Sequence, residues 1–295
     1  RKFLNQVLRS LANEPPNIVY CHDADTLSIG CSMKKKHSIP FIFDMHDLHH
    51  TWILMPAPRS LVRKTISKRL EKRMLRRIRM ADHIITSSGK IGKNGVYSGF
   101  REYLQQHGHK STVIENRPMV NRTLETNPKS PWCVGYLGRV REVQPFQQLL
   151  ESVLSMEKEN RPSIRIAGDG VAYEDVFQLL ERAQSEHKIQ CKMSGAFGSD
   201  QFHELIQEVD VMYAMYRPDR GNIMQGAIPV KMFDAAAYGV PSVVNSGCLM
   251  GELAETEEIG IGVKWMDTEG LTQALMQLKS THVQLNTGSE RERLK

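Results

Sequence analysis

The stretch IPVKMFDAAAYGVPSVV, residues 228–244, predicts a helix that leads directly into a buried strand. Pro229 suits the first turn of a helix, Gly239 suits its C-terminal exit, and Pro241 prevents the helix from continuing. The spacing predicts a helix of about three turns. Its N-terminus would carry unpaired backbone N–H groups and a partial positive charge, which together favour phosphate.

Outward from this stretch, short apolar runs alternate with amphipathic segments along the whole chain, a pattern typical of parallel sheets with crossover helices. We predict strands at residues 18–21, 41–44, 83–86 and 112–115, and then at 133–137, 164–167, 189–193, 211–215 and 242–245. The polar, proline-containing stretch 121–131 separates the two groups and reads as a linker. We therefore expect an α/β chain with domains at residues 1–125 and 126–282, followed by a tail, or the start of a closing helix, at 283–295.

Composition narrows the class of protein. A length of 295 residues favours two domains over one, and a formal net charge of +6 is compatible with an anionic partner. The five cysteines are scattered without a C-x-x-C pair, which indicates a reducing, cytoplasmic compartment. We see no apolar run long enough for a membrane span and no leader, and the chain begins without Met. We expect a sequence trimmed at its start.

Residues 59–79 predict a strongly basic amphipathic helix. The segment holds ten Lys or Arg residues and one acid, Glu71. Its apolar residues recur every four positions: Val62, Ile66, Leu70, Met74 and Ile78. Two interpretations are compatible with this pattern: a surface helix whose apolar stripe packs on its own sheet, and a helix whose cationic face binds an anionic membrane surface. Nucleic acid is not expected, because no aromatic residues interleave with the charges.

The pattern P-x-K-x-F-[E/D]-x-x-A-x-G-x-P-x-V around residue 234 resembles the nucleotide-binding signature of glycosyltransferase family 4, the retaining enzymes of the GT-B fold. The resemblance implies that Asp234 holds the ribose hydroxyls of a donor nucleotide. Lys231 lies three residues earlier, on the same face of the predicted helix, and belongs to the same expected site.

Further segments resemble the same family in chain order. VGYLGR, residues 134–139, is similar to the strand and turn whose arginine, here Arg139, neutralises the donor diphosphate. IRIAGDG, residues 164–170, is similar to the strand whose glycine-rich turn approaches the donor. The resemblance thus adds three residues to the expected donor site: Gly168, Asp169 and Gly170.

The N-terminal half carries two segments, PNIVYCHD at 16–23 and PFIFDMHDL at 40–48, that resemble the family's paired strands ending in histidine. The resemblance implies that His22 and His46 lie near the transferred sugar. Residues 81–88 and 113–118 also follow the family's order. The family's first strands have no counterpart before Arg1, and its closing helix would start where this chain stops.

Two positions depart from the family pattern. Gly226 stands where many members have a glutamate that binds the donor sugar, so we expect backbone amides, Asn222 or Gln225 to bind the sugar hydroxyls instead. Gln144 stands where a lysine is expected beside the diphosphate. Both departures bear on whether the chain is an active enzyme.

Two other classes of function stay open at this point. His22, Asp23, Asp44 and His46 follow two adjacent strands, and such imidazoles and carboxylates could form the metal site of a metal-dependent hydrolase. Asp23 and Asp25 also form a D-x-D pair, a metal motif of another glycosyltransferase architecture. The third class is a non-catalytic scaffold that retains the fold.

On balance the sequence predicts an α/β protein of the GT-B class, with two Rossmann-like domains facing across a cleft and the N-terminal domain incomplete. We expect a retaining glycosyltransferase that uses a nucleoside diphosphate sugar of the UDP or GDP type and requires no metal. The expected acceptor is a hydroxyl of a saccharide or lipid-linked saccharide, in cell-surface polysaccharide or glycolipid synthesis. The expected location is the cytoplasm, peripheral to the membrane's cytoplasmic face.

Overall fold

The computed structural model describes residues 2–55, 57–118, 132–219 and 222–285. The chain forms two compact units. Unit 1 comprises Arg1–Asn116 and Pro218–Ile228, and unit 2 comprises Arg117–Arg217 and Pro229–Lys295. The predicted linker at 121–131, the predicted boundary between residues 125 and 126, and residues 286–295 of the predicted tail lie outside the described residues.

Unit 1 is built on a four-stranded parallel sheet of order β1-β2-β3-β4. Its elements are α1 (Lys2–Asn13), β1 (Val19–His22), α2 (Asp23–His37), β2 (Phe41–Met45), a 3₁₀ helix (His49–Leu54), α3 (Leu61–Ile78), β3 (His83–Thr86), α4 (Phe100–Gln106) and β4 (Thr112–Val113). All four predicted strands are present, with their bounds shifted by one or two residues at some ends. The parallel order requires a crossover between successive strands, and a helix lies in each of the three connections: α2, α3 and α4.

The core of unit 1 lies between its sheet and the helices that pack on it. Fully buried side chains come from α2, β2, α3 and α4, and include Leu27, Phe41, Phe43, Ile78, Phe100 and Leu104. Gly30 lets α2 approach β2 closely, because a Cβ at that position would lie 2.6 Å from the Phe41 ring.

Unit 2 contains a six-stranded parallel sheet of order β10-β9-β8-β5-β6-β7. Its elements are β5 (Cys133–Leu137), α5 (Gln144–Ser155), β6 (Ser163–Ala167), α6 (Tyr173–His187), β7 (Cys191–Ser194), α7 (Phe202–Gln207), β8 (Val211–Ala214), α8 (Val230–Ala236), β9 (Ser242–Asn245), α9 (Leu249–Thr256), β10 (Gly260–Val263) and α10 (Thr268–Leu285), with a short 3₁₀ turn at 158–160. A second short 3₁₀ turn, at 223–225, belongs to unit 1. The order reverses between β5 and β8, as in doubly wound folds. The prediction of two α/β units with parallel sheets is confirmed.

Strand β10 was not predicted, because its sequence GIGV gives a weak strand signal. Glycine is depleted in strands, and here it serves close packing instead. A Cβ on Gly260 would lie 2.2 Å from the carbonyl oxygen of Ser242 on the neighbouring strand. The feature that weakens the signal is therefore the one that lets this edge strand pair with β9.

Helix α8 is shorter than the sequence predicted. It has seven residues, about two turns rather than three, and Pro229 occupies its N-cap instead of its first turn. The chain leaves the helix early because the N–H of Val240 bonds back to the carbonyl of Ala235, with Gly239 in the left-handed region at φ +72°. Gly239 thus acts as the predicted C-terminal exit. The partial positive charge at the N-terminus of α8 comes from the dipole of a helix of only two turns.

The apolar stripe of α3 is only half used for packing. Met74 and Ile78 are buried, whereas Val62 is 69% exposed and Ile66 is 36% exposed. The predicted burial of the stripe therefore holds for the C-terminal half of the helix alone, and α3 packs mainly on α2 and the 3₁₀ helix rather than on the sheet. No helix in the described part of the chain is long and apolar enough to cross a membrane.

Candidate functional site

The turns that follow β5 and β6 in unit 2 interlock so closely that each depends on glycine. A Cβ on Gly168 would lie 1.8 Å from the carbonyl oxygen of Gly138, and one on Gly170 would lie 2.1 Å from that of Val140. Both Gly168 and Gly170 have φ near +150°, in the region that favours glycine. The N–H of Val140 bonds to the carbonyl of Asp169 at 2.7 Å. The result is a smooth backbone surface at the carboxyl edge of the sheet, where ligands of such folds bind.

Arg139 projects from the first of these turns with its side chain 66% exposed. Its guanidinium lies 3.6 Å from the carboxylate of Asp169, and its backbone carbonyl accepts a 2.7 Å bond from the Tyr136 hydroxyl. The ion pair of Arg139 goes to Asp169 rather than to Glu142, which lies 4.0 Å from Arg217. An exposed ion pair contributes little to stability, so the Arg139 guanidinium can turn to a stronger anion at small cost.

Lys231 brings a second cation to the same turn. Its ammonium lies 3.4 Å from the centre of the Tyr136 ring, 5.4 Å from that of Tyr216, and against Gly138. The side-chain amide of Asn245 fixes Tyr216 through bonds to its backbone N–H and carbonyl, both at 2.8 Å. The two tyrosines hold the ammonium by cation–π attraction. Sequence reasoning missed them, although aromatic residues at the ends of two strands that later prove adjacent were a usable signal.

Asp234 follows Lys231 on α8 and is mostly buried. Among the described residues its carboxylate has neither a hydrogen-bond donor nor an ion-pair partner. Burial raises the pKa of Asp234 to about 6, and the charge of Lys231 only partly offsets this effect. A mostly buried carboxylate without donors is poised to accept hydrogen bonds from a ligand.

Asn222 and Gln225, expected at the donor site, belong by packing to unit 1. The amide of Asn222 donates to the carboxylate of Asp47, and Gln225 is exposed. Gly226 has φ +103°, and a Cβ there would lie 2.5 Å from the Cα of Gly99. The close approach of two backbone segments therefore explains why position 226 lacks the family's glutamate. A role for Asn222 and Gln225 in sugar binding stays a prediction.

His22 and His46 meet in unit 1 around one buried carboxylate. The parallel register places His22 opposite Asp44, whose Oδ2 lies 3.4 Å from His22 Nδ1 and 2.8 Å from His46 Nε2. The two imidazole centres are 4.5 Å apart. Tyr20, two residues before His22 on the same strand face, donates to the same oxygen at 2.6 Å. The sequence identified both histidines and Asp44 but missed Tyr20, which the alternation of β1 could have revealed.

Asp23 supports this cluster from the first turn of α2. It has φ +58°, and its Oδ1 accepts the backbone N–H of His46 at 2.9 Å. The hydrogen bond that Tyr20 donates to Asp44, together with partial burial, raises the pKa of the Tyr20 hydroxyl to about 12. The structure does not support a D-x-D metal motif at Asp23 and Asp25, because the Asp25 carboxylate lies 3.5 Å from the imidazole of His49.

The geometry of the histidine cluster is compatible with a metal site. His22, Asp44 and His46 each offer a ligand atom within 4.8 Å of the others. The Oδ1 atom of Asp44 is buried without a hydrogen-bond partner among the described residues. Two nitrogens and one carboxylate oxygen form a donor set that zinc accepts.

Comparison with known proteins identifies a matching family. Residues 132–280, which make up half of the chain, match the sequence profile of the glycosyl transferases group 1 family. No curated protein sequence matches the chain significantly.

Three solved structures illustrate the similarity of fold. The apo form of the lipopolysaccharide outer core galactosyltransferase WaaB is 17% identical with a TM-score of 0.62, over 99% of this chain and 74% of that chain. Anabaena Alr3699/HepE in complex with UDP is 16% identical with a TM-score of 0.64, over 99% and 75%. Sucrose-phosphate synthase from Thermosynechococcus elongatus is 14% identical with a TM-score of 0.70, over 99% and 72%.

At these identities the structural matches establish the fold alone, and the predicted GT-B class is confirmed. The sequence match supplies the family. The protein belongs to the glycosyl transferases group 1 family.

Proposed function

We propose that the protein is a retaining glycosyltransferase that moves a sugar from a nucleoside diphosphate sugar, of the UDP or GDP type, to a hydroxyl of a saccharide or lipid-linked saccharide. The observation that carries the proposal is the arrangement of Arg139, Lys231 and Asp234 around the glycine turns of unit 2. Family membership supports glycosyl transfer. Related structures in complex with UDP and UDP-glucose support the nucleotide class.

In this proposal Arg139 and Lys231 bind the diphosphate, and the backbone around Gly138, Gly168 and Gly170 lets it approach closely. Asp169 holds Arg139 near its working position until the donor arrives. Asp234 accepts hydrogen bonds from the ribose hydroxyls. Because α8 has only two turns, we assign the larger share of diphosphate binding to the two cationic side chains rather than to the helix N-terminus.

Cleavage of the glycosidic bond leaves its electron pair on the departing diphosphate, so negative charge grows there in the transition state. Fixed cations stabilise that charge without reorganising, and so lower the barrier more than they tighten substrate binding. The acceptor hydroxyl attacks from the face that the diphosphate leaves, and its proton passes to the diphosphate oxygen. The anomeric configuration is thereby retained.

We assign His22 and His46 of unit 1 to the transferred sugar and the acceptor. The 2.8 Å bond to Asp44 favours the His46 tautomer with its proton on Nε2, which leaves Nδ1 as an acceptor for a sugar hydroxyl. The buried Asp44 carboxylate thus orients the imidazole that would position the sugar.

A screen of nucleoside diphosphates and their sugars by thermal shift, followed by a transfer assay with the best binder, tests this function. A specific binder raises the unfolding midpoint by mass action. We expect a UDP or GDP sugar to be selected and then consumed in an acceptor-dependent way. Binding without turnover against a broad acceptor panel would favour the scaffold alternative, and no binding would remove the proposal.

We further propose that the enzyme works peripherally on the cytoplasmic face of an anionic membrane, through α3. Leu61 is 79% exposed and Val62 is 69% exposed at the N-terminal turn, and Lys64 and Lys68 are exposed beside them. Insertion of exposed apolar residues and attraction of the cations to headgroups would act together. Flotation with acidic vesicles should recover the wild type and much less of an L61S/V62S variant, with release in high salt.

The cluster of His22, Asp44 and His46 supports one second candidate, a metal-dependent hydrolase. In that case the purified protein would carry stoichiometric zinc or a similar ion, and H46Q would lower its metal content. Elemental analysis with less than one tenth of an equivalent of any transition metal, together with transfer activity in the presence of chelator, would remove this candidate.

A further inference from the structure

Unit 1 contains a cavity of about 210 Å³ between the start of α2, the 3₁₀ helix and α3. Its apolar wall includes Leu27 and Met74, which are buried. A volume of this size has room for a ligand group as large as a phosphoryl group.

The polar part of the lining is mainly cationic or basic. Arg73 and Arg77 stand one helical turn apart on α3, and both line the cavity. Among the described residues neither guanidinium forms an ion pair or donates a hydrogen bond. Burial, together with repulsion from Arg73 and Arg76, lowers the pKa of Arg77. Like charges at this spacing destabilise a helix, and a bound anion would reverse that effect.

Two imidazoles complete the lining. His50 is 7% exposed, and its Nδ1 is buried without a hydrogen-bond partner among the described residues. Its Nε2 lies 3.6 Å from the Glu71 carboxylate, which also accepts a bond from the Tyr103 hydroxyl. Native proteins rarely leave a buried polar nitrogen without a partner, so the orphaned atom indicates a missing ligand group.

The acid of the lining does not neutralise the cavity. Asp25 is 72% exposed and lies 3.5 Å from His49, the second imidazole of the lining. Glu71 faces His50 on the other side. Burial lowers the pKa of His50, so its imidazole contributes a hydrogen-bonding nitrogen and no charge. The two guanidiniums still outnumber one largely exposed carboxylate at the wall, and guanidinium groups match phosphate oxygens in geometry.

We propose that this cavity binds the phosphoryl group of a phosphorylated acceptor. The acceptor assignment rests on the proposed function and on position: α2 begins directly after His22, and His49 lies three residues after His46, so the cavity is at the same carboxyl edge of the unit 1 sheet as the histidine cluster. The phosphoryl group could belong to a soluble sugar phosphate or to a lipid headgroup, and both share this chemistry.

The test compares two double variants of α3 with equal loss of charge. R73Q/R77Q removes the two guanidiniums of the cavity. R69Q/R76Q removes two exposed guanidiniums of the same helix that do not line the cavity. Calorimetry with inorganic pyrophosphate is run with UDP in excess, so that a donor site in unit 2 is filled. We expect R73Q/R77Q to bind pyrophosphate at least tenfold more weakly than the wild type, and R69Q/R76Q to stay within twofold.

A third variant, R73K/R77K, retains the charge without the planar fork and should fall between these results. It also provides a folded comparison if R73Q/R77Q unfolds, which circular dichroism would reveal. Equal pyrophosphate affinity in R73Q/R77Q and R69Q/R76Q would overturn the proposal. Because the readout is binding and not turnover, this failure is distinct from a failure of the glycosyltransferase assignment.

A second arm identifies the source of the phosphoryl group. The same variants are sedimented with vesicles of phosphatidylcholine containing phosphatidic acid. A selective loss of vesicle binding in R73Q/R77Q relative to R69Q/R76Q supports a lipid headgroup. An equal, small loss in both, with the pyrophosphate difference intact, supports a soluble phosphorylated acceptor.

Discussion

The glycine turns of unit 2 and the histidine cluster of unit 1 are built on different principles. In unit 2 the candidate donor site consists of backbone held in conformations that require glycine, with permanently charged side chains added around it. In unit 1 three side chains converge on Oδ2 of the single carboxylate of Asp44, and its other oxygen has no hydrogen-bond partner among the described residues. One region depends on shape and fixed charge, and the other on the placement of protons.

This difference suits the two halves of a transfer reaction. A diphosphate is large, highly charged and common to many donors, so a rigid backbone and cations can bind it without titrating. Positioning a sugar hydroxyl needs groups that can donate or accept a proton, which imidazoles provide near neutral pH. The comparison predicts that changes in unit 2 act on nucleotide binding and that changes in the histidine cluster act on turnover.

The largest effect is expected for Gly168→Ala. The added methyl would lie 1.8 Å from the Gly138 carbonyl oxygen at φ +147°, so the interlocked turns must separate. We expect a loss of about 3 kcal/mol or more in the free energy of unfolding, and loss of measurable nucleotide binding. Urea unfolding and calorimetry measure the two.

Gly195→Ala is the matched control for this change, because a Cβ there meets no atom within 4 Å. It should leave the free energy of unfolding within about 0.5 kcal/mol of the wild type. If the two alanine variants unfold alike, the interlocked turns are not a rigid element.

His46→Gln should separate turnover from binding. We expect kcat to fall about a hundredfold, typical for loss of a group that positions a reacting substrate, while the donor nucleotide binds as before. His37→Gln, an exposed histidine at the end of α2, should leave kcat unchanged. A matched decrease in nucleotide affinity for H46Q would mean that the two regions do not divide the work in this way.

Asp234→Asn should weaken nucleotide binding about thirtyfold, since hydrogen bonds to a charged acceptor contribute about 2 kcal/mol. The same change should stabilise the fold at pH 7 by up to about 3 kcal/mol, because the pKa of Asp234 is raised from 3.8 to about 6. Ionisation of Asp234 therefore destabilises the folded wild-type protein, and this loss of stability is complete above pH 6.

The gain in stability of D234N over the wild type should shrink as the pH falls from 6 toward 3.8 and disappear below that value, where the folded and unfolded states both carry a protonated Asp234. Thermal unfolding across this range measures it. Asp169→Asn, which removes a carboxylate that is 53% exposed, provides the comparison and should change stability little. A D234N protein that is less stable than the wild type at pH 7 would contradict the proposed state of this carboxyl.

The smallest effect concerns pH. If the nucleotide binds the ionised form of Asp234, the apparent affinity should fall about tenfold from pH 7 to pH 5, one unit below the pKa of about 6. In D234N this part of the pH dependence should disappear. A profile of the same shape in both proteins would assign the titration to another group, such as the nucleotide phosphates.

Much of the fold could be predicted because its signals are local. Strands such as Cys133–Leu137 and Ser242–Asn245 are dense in β-branched or apolar residues, and both were placed with correct bounds. The strand at Gly260–Val263 was missed because Gly260 serves a contact with the neighbouring strand that no local pattern encodes. The shortened α8 was missed because its end depends on a backbone bond to Val240.

The candidate site divides in the same way. Arg139, Lys231 and Asp234 were found from fixed spacing in one segment or from resemblance. Tyr216 under Lys231, and the pairing of Asn222 with Asp47, depend on contacts between residues far apart in the sequence. Such partners follow from topology, and the sequence alone did not provide the order of the strands.

The most direct test of the central claim is the affinity for UDP of two neighbouring arginine variants, measured by calorimetry on the folded protein. Arg139→Gln removes the guanidinium beside the glycine turns, and Arg141→Gln removes an exposed one two residues later. The account predicts that R139Q binds UDP at least tenfold more weakly than the wild type and that R141Q binds it within twofold. Equal affinities for the two variants would contradict the assignment of Arg139 to the diphosphate.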